Sequence, residues 1–113
     1  MTYQGSCHCG RIAFEVDGEL GAVVDCNCSM CRRRGGLLWF VPREALRLTT
    51  AVADLGTYTF HKHAIHHHFC PACGIAPFSE SASGTAGASI NVRCLEGVDL
   101  DALEVKRYDG LHH

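Results

Sequence analysis

Cys70-Pro71-Ala72-Cys73-Gly74 is the stretch whose reading decides the fold. A C-x2-C turn with proline inside and glycine after it is a zinc knuckle: the turn aims both thiolates at one ion, and glycine frees the backbone to donate N–H groups to sulfur. A thioredoxin-type redox pair uses the same spacing but needs a βαβ context with a helix starting at the motif, and the sequence offers none. Two thiolates leave a tetrahedral site half built, so partners must come from elsewhere. Cys7 and Cys9, in Gly5-Ser6-Cys7-His8-Cys9-Gly10, have the i, i+2 spacing that places both side chains on one side of an extended chain. Combined with Cys70 and Cys73 they make a closed, structural four-cysteine site joining two distant parts of the core.

The chain of 113 residues is expected to form one domain, 1–113, with a core small enough for such staples to matter. Eight cysteines in that length mean disulfides or metal. The start, Met1-Thr2-Tyr3-Gln4-Gly5-Ser6, lacks the basic and apolar regions of a secretory leader, so a cytoplasmic, reduced and metal-binding protein is expected. Apolar runs such as Leu37-Leu38-Trp39-Phe40-Val41 are far too short to span a membrane. A formal net charge of -2 disfavours a nucleic-acid partner.

Short alternating segments punctuated by turn residues predict an all-β domain. Ile12, Phe14 and Val16 alternate with Arg11, Ala13 and Glu15 before the turn Asp17-Gly18. Strands are further expected at 22–24, 37–41, 55–60, 65–69, 75–79, 88–92 and 104–108, with one helical turn at 43–46 after Pro42. Ser83-Gly84 marks a hairpin tip within 79–89.

Between the second and third of these strands lies Cys26-Asn27-Cys28-Ser29-Met30-Cys31-Arg32-Arg33-Arg34-Gly35-Gly36. Cys26 and Cys28 share a side of extended chain, and the turn to Cys31 brings a third thiol round to the same ion. Three ligands leave one tetrahedral position for water or substrate, the mark of a catalytic zinc; a fourth from Cys94 or a histidine would instead close the site. Seven thiolates on two zinc ions leave excess negative charge, for which the arginine run is a counterweight.

Five histidines fall between His61 and His68. Read as a strand, His61 and His63 share one face, as do His66 and His68, and a solvent-facing surface accounts for most of them. His67 and His68, beside the knuckle, are the candidates for contacts to a metal ligand or for proton transfer. His112 and His113 read as a frayed tail or an expression remnant, and Cys94 as a buried free thiol.

The order Ser6-Cys7-His8-Cys9-Gly10, then Cys26-Asn27-Cys28-Ser29-Met30-Cys31-Arg32-Arg33, then Phe40-Val41-Pro42, then His67-His68-Phe69-Cys70-Pro71-Ala72-Cys73-Gly74 resembles the glutathione-dependent formaldehyde-activating enzyme family, which includes centromere protein V. Ile90-Asn91-Val92-Arg93 is a weaker late match. The resemblance implies a β-tent fold of small antiparallel sheets clamped by zinc on Cys7, Cys9, Cys70 and Cys73. It also implies a second, catalytic-type zinc on Cys26, Cys28 and Cys31, hence two Zn2+ per chain. The implied activity is that of a carbon–sulfur lyase acting on thiol–aldehyde adducts, such as that of glutathione with formaldehyde. Arg32 and Arg33 would then orient an anionic substrate, with Asn91 and Arg93 lining its pocket. The rival expectation is a non-enzymatic zinc module presenting Arg32-Arg33-Arg34 to a protein or nucleic acid; zinc storage is a third. An exposed edge strand would permit a homodimer.

Overall fold

The computed structural model describes residues 1–83 and 87–110, so half of the Ser83-Gly84 turn signal, and His112 and His113, lie outside the described residues. Among the described residues ten strands and one α-helical turn, with short 3-10 turns between some of them, follow in the order β1 (Thr2–Ser6), β2 (Ala13–Asp17), β3 (Val23–Cys26), α1 (Cys31–Arg34), β4 (Leu38–Val41), β5 (Leu46–Leu48), β6 (Gly56–Tyr58), β7 (Ile65–Phe69), β8 (Phe78–Ser81), β9 (Ala88–Asn91) and β10 (Val105–Tyr108). They form two sheets, one ordered β1-β2-β5 and one ordered β10-β3-β4-β9-β8-β7-β6. The protein is mostly β-sheet, as the alternating pattern predicts.

Alternation decides which face is buried. Ile12, Phe14 and Val16 are almost completely inaccessible, and the Phe14 ring of the small sheet meets Phe78 of the large one at 5.9 Å between centroids. Burying side chains of this size stabilises the fold by about 1.5–3 kcal/mol each. Gly5, paired with Phe14 across β1 and β2, leaves room for that ring, since a Cβ at Gly5 would collide with it.

The large sheet is antiparallel except at one edge, where β10 runs parallel to β3 with Val105 opposite Val23 and Tyr108 opposite Cys26. Beyond the strands the pairing continues: Asn27 N–H donates to Tyr108 O at 3.1 Å, and Asn27 Nδ2 donates to Asp109 Oδ1 at 3.0 Å. The last described residues are thereby laid against the 26–31 segment.

Two expected elements differ. The strand expected at 75–79 begins only at Phe78, because Cys70 N–H donates to Ile75 O at 2.9 Å and holds residues 70–75 in the knuckle. His61 and His63 have φ of 57° and 55° and belong to a turn rather than to a strand face.

Candidate metal centre

Two loops of matching build make the four-cysteine cluster. Cys7 N–H donates to Ile12 O and Cys70 N–H to Ile75 O, each at 2.9 Å, so both loops close across the same five-residue step. Gly10 and Gly74 complete the turns at φ of 86° and 82°, a conformation that disfavours any side chain. Cys7 Sγ lies 3.7 Å from Cys9 Sγ, which lies 3.6 Å from Cys70 Sγ, and all four sulfurs fall within 4.8 Å of one another. Tetrahedral zinc with Zn–S of about 2.3 Å sets its sulfurs roughly 3.8 Å apart. A disulfide would need about 2.05 Å, and all eight cysteines are free. The donor set and spacing therefore fit a closed metal site. Backbone N–H groups of Ile75 and Cys9, aided by the Cys70 thiol, pull Cys73 down to about 6.

The second cluster comes from one short segment. Cys26 ends β3, Cys31 opens α1, and Cys28 sits in the turn between them; their sulfurs also lie within 4.8 Å of one another. Backbone N–H groups again point at sulfur, from Cys31 to Cys28 Sγ at 3.3 Å and from Cys28 to Cys26 Sγ at 3.5 Å. Burial acts to raise the Cys28 thiol, but the N–H groups of Cys31 and Met30 and the neighbouring thiols outweigh it and hold the thiol below its usual range. Burial, with Cys28 and Cys26 close by, pushes Cys31 well up. Such an uneven trio suits a cation that can take all three as thiolates. Among the described residues no fourth cysteine, histidine or carboxylate joins this group. Cys94 is not close to it: that thiol, raised to about 11 by burial, feels the charges of Cys7 and Cys73 instead.

All three cradle cysteines line a cavity of about 690 Å3. Its wall is largely apolar, built by Leu38, Phe40, Phe60, Ile65, Ile75 and Phe78. Polar groups are few: Arg33 and Arg34 from α1, His67 and Ser79 from adjacent strands, and Ser89 and Asn91 from β9. Arg32 is exposed and is not part of the lining. In a helical turn successive side chains are rotated by about 100°, so three adjacent arginines cannot share a face.

Of the two histidines singled out by sequence, only His67 reaches this cavity. Its Nδ1 lies 3.1 Å from Ser79 Oγ and its ring stacks on Phe60 at 5.4 Å. Burial, with the Arg34 charge nearby, lowers its pKa to about 4 and keeps it neutral at pH 7. His68 is buried elsewhere, its Nδ1 2.9 Å from Thr57 Oγ1 and its Nε2 3.5 Å from Glu80 Oε1. Asn91 lines the cavity, but its Oδ1 accepts from Arg93 N–H at 3.2 Å and starts a 3-10 turn, Val92–Cys94. That turn takes Arg93 off the strand, so the two do not share a face. Phe60, Ser79 and Tyr108 are among the lining residues that sequence reasoning did not single out, and Arg34 lines the cavity where the sequence reading gave a substrate role only to Arg32 and Arg33.

A sequence profile described as "Glutathione-dependent formaldehyde-activating enzyme" matches residues 2–106. The chain belongs to that family. A crystal structure of a Rhodobacter sphaeroides protein is similar to it, with 31% identity and a TM-score of 0.79 over 94% of this chain and all of that one. The family match spans both cysteine clusters and every element from β1 to β9. No helix among the described residues is long and apolar enough to cross a membrane.

Proposed function

We propose that this member of the family is a zinc-dependent enzyme that makes and breaks the carbon–sulfur bond of thiol–aldehyde adducts, on a β-tent fold with one structural and one catalytic zinc. One observation carries the reading: three cysteine sulfurs converge at the edge of a cavity with no fourth ligand among the described residues, while the other four form a complete set. Zinc held by Cys26, Cys28 and Cys31 would supply Lewis acidity toward a substrate sulfur or oxygen. The chain's own residues do the rest. Arg33 and Arg34 put positive charge beside the thiolates and attract an anionic sulfur or oxygen. Neutral His67, held by Ser79 and Phe60, adds no charge to the wall, and the aromatic walls offer apolar surface to the substrate beside the reacting bond. The rival closed module would need a fourth ligand at the cradle.

The test combines zinc content with turnover in wild type, Cys26→Ser and Cys28→Ser. The expected result is two zinc ions per wild-type chain and one in each variant, with catalysed exchange of formaldehyde between thiols lost in both. Wild-type zinc of one per chain, or exchange undiminished in Cys28→Ser, would sink the proposal.

A further inference from the structure

The cavity beside the cradle has a one-sided chemistry. Among the described residues its lining contains cations but no aspartate or glutamate. Both cations, Arg33 and Arg34, come from the cradle's own helical turn, and one guanidinium N–H of Arg33 is already spent on Ser29 O at 2.6 Å. Phe40, Ile65, Ile75 and Tyr108 all line this same cavity, yet are 62%, 47%, 39% and 48% exposed. Large apolar side chains left open around one hollow are a recognised mark of a ligand or partner site.

We infer that this cavity takes an apolar thiol–aldehyde adduct, carrying an aryl or branched alkyl group and at most one negative charge, in preference to a glutathione adduct. The inference rests on the reaction proposed above and names the substrate class for it. Glutathione carries an ammonium group as well as two carboxylates. Among the described residues of this lining the ammonium would meet no carboxylate, and its peptide groups would be desolvated against Phe40, Phe60 and Ile75 with few partners, which is unfavourable. An aryl group instead removes those walls from water. The reaction balances without any oxidant: the thiol sulfur bonds to the aldehyde carbon, the C=O π bond breaks, and the thiol proton ends on the former carbonyl oxygen.

The test uses two unreactive thioethers, benzyl 2-hydroxyethyl sulfide and S-methylglutathione, titrated calorimetrically into the zinc-loaded protein. The benzyl thioether is expected to bind at least about tenfold more tightly. Phe40→Ser, at an exposed position, is expected to weaken the benzyl thioether by about tenfold without weakening S-methylglutathione to the same degree. Equal or tighter binding of S-methylglutathione, or benzyl binding indifferent to Phe40→Ser, overturns the inference. Formaldehyde exchange followed by NMR with benzyl mercaptan and with glutathione separates the two claims. Exchange catalysed for glutathione alone overturns the substrate class and leaves the reaction standing. Tight benzyl binding without catalysed exchange of either thiol upholds the ligand class and overturns the reaction.

Discussion

The four-cysteine and three-cysteine clusters use the same ligand atom and the same device, backbone N–H groups aimed at sulfur, yet they sit in opposite surroundings. The first draws on two loops 61 residues apart between Cys9 and Cys70, and its Cys7 and Cys70 are buried in the core. The second is local, built within residues 26–31, half-buried, and open to a cavity. Ions held by cysteines from distant loops would tie those loops together; an ion held by one short segment on a cavity wall would leave the fold largely indifferent to it and remain accessible. Number of cysteines and chain separation, rather than ligand chemistry, distinguish the two clusters.

Breaking the long-range cluster should have the largest effect. Cys70→Ser should lose a metal and destabilise the fold by several kcal/mol, on the order of a 15 °C fall in melting temperature, since binding energy at such sites is folding energy. A melting temperature within a few degrees of wild type would collapse the distinction. Cys28→Ser should do the reverse: melting should move by less than about 5 °C while catalysed exchange falls by about 100-fold or more.

Gly110→Ala sharpens the comparison without touching a ligand. An added Cβ would lie 2.7 Å from Cys26 Sγ and 3.2 Å from Cys28 Cβ. Chelator competition should show the cradle's zinc weakened by about tenfold, with the four-cysteine site unchanged. The smallest effect at neutral pH belongs to His67→Gln. His67 is neutral in the fold down to about pH 4, whereas the unfolded chain takes up the proton near its ordinary value of 6.5. Between those values the unfolded state binds more protons, so wild-type stability relative to the variant should fall as pH drops from 6.5 to 4, by up to about 3 kcal/mol in denaturant titrations. A difference that is flat with pH would mean His67 is not held neutral.

Much of this was legible because it is local. Ile65–Phe69 is a strand with the expected bounds, and both cysteine clusters assemble as their spacing implies. What escaped depends on distance or on brevity. Strand β1 shows no apolar alternation, because its buried residue is Gly5, made necessary by the Phe14 ring from another strand. Helical turn α1 is four residues long and strand β5 three, too short for any period to show. Arg34 could not be told from Arg32 without the rotation of α1 that separates them. The parallel pairing of β10 leaves no trace in a strand whose four residues are all exposed.

That pairing also dictates an order of birth. Synthesis releases the chain from its N-terminus, so Cys26, Cys28 and Cys31 emerge first, yet the residue seated against them, Gly110, emerges some 80 positions later. The four-cysteine set is complete once Cys73 is out. A nascent chain can therefore bring its four cysteines together while the cavity beside the cradle still lacks its last wall.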